Sequence, residues 1–141
     1  MIRFDFLESR GAAVAAISGK TEGDCGVYAP SDRARTVFLR TLGLDSAALV
    51  CPRQVHGCTV ACVSASDRGK GAFGLDNALV EADALITNVP GLPLGITVAD
   101  CVPVFILAEG GRAAGLVHAG REGTKTGVTQ NAVRALCNRF A

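Results

Sequence analysis

The chain has 141 residues, 49% hydrophobic and 19% charged, and fourteen Lys+Arg against thirteen Asp+Glu leave a net charge of +1. That length suits one domain whose core needs no disulfide staples, and the apolar content excludes intrinsic disorder. The balanced charge supplies no field for nucleic acid and no polybasic patch for a membrane, and with no Trp and one Tyr the chain lacks an aromatic surface for stacking bases.

Met1 to Leu7 predicts a first strand and Ala12 to Ser18 a second. Asp5 and Glu8 interrupt the opening apolar run, which argues against a signal peptide. A cytoplasmic setting follows, where Cys25, Cys51, Cys58, Cys62, Cys101 and Cys137 stay reduced. No two of them form a CxxC pair. Cys58 and Cys62, four apart in a β-like segment, read as small buried hydrophobes. Gly19 to Pro30 is loop. A helix is expected to begin at Ser31, whose hydroxyl can cap free amides. Ala34, Val37, Phe38 and Leu42 mark its inner face, and Gly43 ends it.

Ala48 to Val55 and Cys58 to Ser64 read as strands, with a bulge or reversal at Gly57. Ser66 to Asn77 is a glycine-rich loop, either a mobile lid or an ordinary surface loop. Ala82 to Asn88 and Leu94 to Val98 predict strands parted by the Val89-Pro90-Gly91 turn. Gly91 to Ala108, the longest apolar stretch, contains Pro93, Asp100 and Pro103 and so does not read as a membrane span. Val102 to Leu107 and Ala113 to Val117 are near-continuous apolar runs, the pattern of strands covered on both faces. A last helix is expected from about Thr124 to Phe140, with Val128, Ala132, Val133, Leu136 and Phe140 facing inward. Many strands with one early and one late helix give an α+β class rather than a regular βαβ alternation.

The chemistry-bearing residues sit at predicted strand ends. His56 lies in Gln54-Val55-His56-Gly57, His118 in Val117-His118-Ala119-Gly120, and Cys101 follows Asp100 between two strands. Two imidazoles and a thiolate make a three-ligand zinc set with an open fourth position, and their wide spacing favours a catalytic pocket over a local staple. The alternative is two satisfied histidines and a buried cysteine. Asp100 either orients a ligand histidine or caps a turn.

Three segments resemble the signature of the YfiH/PgeF family, the laccase-domain proteins also called multi-copper polyphenol oxidoreductases. They are Arg53-Gln54-Val55-His56-Gly57; Glu81-Ala82-Asp83-Ala84-Leu85-Ile86-Thr87 with Pro90-Gly91 and Ala99-Asp100-Cys101-Val102-Pro103-Val104; and His118-Ala119-Gly120 with Gly123-Thr124. Ala34-Arg35 is similar to the family's Asn-Arg helix motif. Arg121 and Glu122 stand where the family carries Trp and Arg, and Val98 where it carries Thr. The resemblance implies a layered sandwich around a mixed sheet, here one domain over residues 1–141 that lacks the family's C-terminal part. A sheet edge left by that shortening would favour association, so a homo-oligomer is admissible.

The resemblance further implies a metal-dependent purine nucleoside phosphorylase acting on adenosine, inosine and methylthioadenosine, with adenosine deaminase capability. Its partners are then a small-molecule nucleoside and phosphate, with no nucleic acid and no membrane. Its metal is Zn2+, or alternatively Cu2+, on His56, Cys101 and His118. Cys101 and His118 are the implied catalytic residues, and Arg35, Gly120 and Thr124 the substrate-binding ones. Phosphate suits the Gly120-to-Thr124 turn if free amides open a helix there; a simple capped helix start is the alternative. Three other readings stand beside this one. Cys101 as nucleophile with His118 as base gives a cysteine hydrolase, acting in peptidoglycan precursor editing. Copper oxidation of phenols is another, although two histidines in total cannot build a laccase's trinuclear cluster. The last is an inactive shortened paralogue.

Overall fold

The structure, a computed structural model, describes residues 1–12 and 14–140. A mixed four-stranded sheet forms its centre. In chain order the elements are β1 (Ile2–Arg3), α1 (Asp5–Glu8), β2 (Ala16–Ile17), α2 (Arg33–Thr41), β3 (Pro52–Arg53), β4 (Val60–Cys62), β5 (Leu79–Glu81), β6 (Ala84–Thr87), β7 (Val102–Leu107), β8 (Ala114–Ala119), α3 (Arg121–Lys125) and α4 (Val128–Phe140). The main sheet runs β4-β6-β8-β7, with β4 and β6 parallel and the other pairs antiparallel. Two small pairs, β1-β2 and β3-β5, flank it. This is the α+β, mixed-sheet sandwich expected.

Period-2 alternation divides the sheet's side chains between two layers. Ala84, Val117, Ala119, Val104 and Ile106 pack under Val128 and Ala132 of α4. Leu85 faces the other way, against Val50, Val63, Leu79 and Leu92. Burial on both faces explains why Ala113 to Val117, most of which forms β8, reads as a near-continuous apolar run, each large buried apolar side chain contributing about 1.5–3 kcal/mol. β7 departs from that expectation: it is an edge strand, half-buried along its length, with Val102 59% exposed. The Phe4 and Phe105 rings, 5.0 Å apart, join the N-terminal hairpin to the sheet.

Several predicted elements are corrected. The first strand stops at Arg3 because Asp5–Glu8 turns into α1, with Leu7 N–H on Phe4 O at 2.8 Å. The second is confined to Ala16–Ile17, and Ala13 lies outside the described residues. Leu94 to Val98 forms no strand; one parallel bridge, Val50 to Leu94, is all that pairs there. Within Ala48 to Val55 only Pro52–Arg53 forms a strand, Val50 adding the single bridge to Leu94. The loop 66–77 is fastened rather than lid-like: Lys70 O accepts from Cys51 N–H at 2.8 Å, and Gly69 N–H reaches Ala48 O at 3.4 Å. The last helix is two helices, broken where Gly127 takes φ 85°, a conformation that other residues adopt at a cost. Within α4 Val128, Ala132 and Leu136 are buried, whereas Val133, off that i, i+4 row, is exposed.

Helix α2 begins two residues after Ser31, whose Oγ accepts from Arg33 N–H at 3.2 Å. Gly43, at φ 72°, ends it as expected. Its inner face is Arg35, Leu39 and Leu42, whereas Val37 is 51% exposed. Arg35 is buried because carbonyls receive its guanidinium: Nε donates to Ala72 O at 3.0 Å, and Nη1 to Gly26 O at 2.6 Å and Cys25 O at 3.4 Å. Removing it leaves three carbonyls without that donor. Arg35→Ala is expected to lower stability by about 3 kcal/mol in chemical denaturation, whatever it does to activity.

Candidate metal centre

The sheet register builds the site. Asp83 immediately precedes β6, and His118 lies near the end of β8, with His118 N–H on Asp83 O at 2.7 Å. This places the Asp83 carboxylate beneath the His118 ring, with Oδ1 2.8 Å from Nδ1. Asp83 is fully buried and His118 nearly so. A carboxylate in such a place must be satisfied by donors, and here three further ones converge. Val55, His56 and Gly57 N–H groups reach its oxygens at 3.3, 3.0 and 2.7 Å.

Three consecutive amides around one anion form a backbone nest. The nest explains the conformation of His56, which sits at φ 59°, left-handed and costly for a residue with a Cβ. Asp83 therefore does two things. It holds the turn that presents His56, and it lies within hydrogen-bond distance of His118 Nδ1, where as a carboxylate it would accept from Nδ1–H and favour the tautomer with Nε2 unprotonated.

Cys101 completes the group. One ligand atom from each of His56, Cys101 and His118 lies within 4.8 Å of the others. The two rings meet edge to face, with centroids 4.8 Å apart and planes at 84°. Tetrahedral zinc with Zn–N near 2.0 Å and Zn–S near 2.3 Å needs ligand atoms roughly 3.3–3.6 Å apart. The three side chains would have to draw together to hold zinc at those distances, and their N,N,S donor set suits zinc or copper. Exposure grades from a buried His118 through a half-buried Cys101 to an exposed His56, so one side of the group opens to solvent.

Gly120 is the cradle of this group. A Cβ built there would lie 3.1 Å from His56 Cδ2, 3.4 Å from Cys101 Sγ and 3.5 Å from His118 Cε1. Its φ of −73° is open to any residue, so space rather than backbone freedom calls for glycine. Gly120→Ala is expected to leave the fold intact and to weaken zinc binding, read by chelator competition, because the added methyl crowds all three side chains.

The other expected residues are placed differently. Thr124 is exposed at the far end of α3, and its N–H is spent on Gly120 O at 2.8 Å. Helix α3 has five residues. Arg35 lines a cavity of about 480 Å3 bounded also by Cys51, Thr97, Phe105 and Leu116, and the His56, Cys101 and His118 side chains do not line it. Asp100 is exposed and, among the described residues, bonds to neither histidine. Asp83 is the residue that sequence reasoning passed over. The signal was present: a lone carboxylate inside Ala82-Asp83-Ala84-Leu85-Ile86 must have a buried partner.

The chain is similar to known proteins over most of its length. A family model described as multi-copper polyphenol oxidoreductase laccase matches residues 28–141. The purine nucleoside phosphorylase YlmD of Geobacillus stearothermophilus is 34% identical over 126 residues, which cover 89% of this chain and 45% of that protein. The adenosine deaminase RL5, from an unknown prokaryotic organism, is 33% identical over 77% of this chain and 41% of its own length. The crystal structure of the hypothetical protein YfiH of Bacillus licheniformis superposes with a TM-score of 0.73 at 34% identity, covering 76% of this chain and 40% of that one. The chain spans about half the length of the curated relatives it matches. Among the described residues no helix is long and apolar enough to cross a membrane.

Proposed function

The chain belongs to the multi-copper polyphenol oxidoreductase laccase family, of the YfiH type, and from that premise we propose that it is a metal-dependent purine nucleoside phosphorylase with adenosine deaminase capability. The observation that carries this reading is the convergence of His56, Cys101 and His118 on Gly120, in a relative of proteins named for those two activities. The fit rests on the donor set and on the space left by the missing Cβ. A zinc ion held by those three residues would supply Lewis acidity and water activation near neutral pH, the chemistry that deamination requires.

The chain's own groups have separable tasks. Asp83 fixes the tautomer of His118 and the pose of His56. Gly120 leaves room for the three side chains to converge. Exposed His56 marks the side from which a nucleoside enters. Phosphorolysis forms a bond from a phosphate oxygen to the ribose C1′ and breaks the bond from C1′ to the purine nitrogen, which leaves with the electron pair and takes a proton. In this reading Gly120, beside the three side chains, and Arg35, in the cavity that Val98, Ala99 and Pro103 also line, bind substrate, and Thr124, whose N–H is spent on Gly120 O, would contribute through its hydroxyl. Nε and Nη1 of Arg35 are engaged by carbonyls, so Nη2 is the donor it would offer. The test incubates the zinc-loaded chain with adenosine or inosine, with and without phosphate. Phosphate-dependent release of free purine, and inosine formed from adenosine, are expected, both lost in His118→Ala. A zinc-loaded chain that leaves both nucleosides intact contradicts the reading.

A further inference from the structure

The segment that carries Cys101 is the least regular part of the site. Gly95 N–H donates to Val50 O at 2.9 Å, and β7 starts at Val102, paired with Ala119. Between those anchors, among the described residues, the main chain of 96–101 is hydrogen-bonded at one residue, Thr97. Both of its main-chain groups go to a single side chain. Thr97 N–H donates to Gln54 Oε1 at 2.7 Å, and Gln54 Nε2 donates to Thr97 O at 2.9 Å. The pair closes like one rung of a β-ladder, although no strand is present. The Thr97 hydroxyl adds a third tie, accepting from Val27 N–H at 3.2 Å.

Gln54 is itself held on both sides. The carbonyl of Arg53 accepts from Ala82 N–H at 3.1 Å, and the 55–57 turn is bound to Asp83. The frame that fixes the two histidines therefore also grips the cysteine's segment, through one side chain. Only a carboxamide can do this, since it carries a donor and an acceptor on one planar end, matching a peptide group.

We propose that Gln54 is the positioning residue for Cys101: its amide clamps the Thr97 backbone and so sets the approach of the thiol to His56 and His118. The inference rests on the metal reading above. It assigns separate supports to the two ligand types, Asp83 to the histidines and Gln54 to the cysteine. Gln54→Met keeps the length and loses both bonds. Gln54→Glu keeps the bond from Thr97 N–H and loses the donor.

The experiment measures zinc affinity by chelator competition, and the thiolate-to-metal charge-transfer band after cobalt loading, in wild type and both variants. Affinity is expected to fall in the order wild type, Gln54→Glu, Gln54→Met, with Gln54→Met about 10–100-fold weaker, as for other groups that orient metal ligands. The charge-transfer band per bound cobalt should weaken in the same order, which a merely structural role would not produce. A folded Gln54→Met with wild-type affinity and band overturns the inference. Hydrogen exchange in the wild-type chain covers the case in which that variant does not fold. The Thr97 amide should be protected within an otherwise unbonded segment, and exchange at the open-chain rate overturns the clamp. A wild-type chain that takes up no zinc overturns the metal reading and this inference together, whereas zinc uptake unchanged by the variants overturns the inference alone.

Discussion

Asp83→Ala is expected to abolish zinc binding and to lower stability by about 3–5 kcal/mol, the range for removing one partner of a buried, hydrogen-bonded charge. Four donors lose their acceptor at once: three consecutive amides and His118 Nδ1. The 55–57 turn then has nothing to hold His56 at φ 59°, and His118 is free to carry its proton on either nitrogen. Asp83→Asn separates the two effects. Its shape is conserved, but its NH2 group opposes the donors that face it. It should fold with reduced stability while still losing most of its zinc affinity. Denaturation and metal titration of the two variants check this. An Asp83→Asn protein with wild-type zinc affinity would show that the histidines hold their pose unaided.

The second large effect concerns Cys101, for which ligand and nucleophile roles predict opposite reactivity. As a ligand, its thiolate is shielded by the metal, so alkylation should be slow in zinc-loaded protein and fast after chelation. As the free nucleophile of a cysteine hydrolase, it should react at once with zinc still bound. The other cysteines provide internal standards. Cys62 and Cys137 are exposed and should be modified first. Burial pushes the Cys51 thiol up to about 12, so it stays protonated and unreactive at neutral pH. Peptide mapping of alkylation with and without chelator reads all of them in one experiment. Cys101→Ala should lose zinc; unchanged metal content in that variant rules out the ligand role.

Much of this architecture was legible in the chain. The run Val102 to Leu107 is β7 to the residue, because it is short, rich in β-branched and aromatic residues and carries Pro103, which disfavours a helix. His56, Cys101 and His118 stand out in a chain with two histidines, and the turn residues around them place each at a strand end. Other parts were hidden for physical reasons. Leu94 to Val98 has strand composition, yet its hydrogen bonds go to a side chain, Gln54, which no periodicity reveals. Met1 to Leu7 looks extended, but Asp5 and Glu8 close a helical turn instead. Asp100 was the carboxylate adjacent to Cys101 in sequence, whereas Asp83, 35 residues from His118, is the one that meets a histidine of the cluster in space. Only the register of β6 against β8 brings that pair together.

Zinc stoichiometry tests the central claim most directly. Mass-spectrometric metal analysis of the purified chain is expected to find about one zinc per chain, removed by chelation and sharply reduced in each of His56→Ala, Cys101→Ala and His118→Ala. Retention of full occupancy in both histidine variants would show that the three side chains are not a metal site.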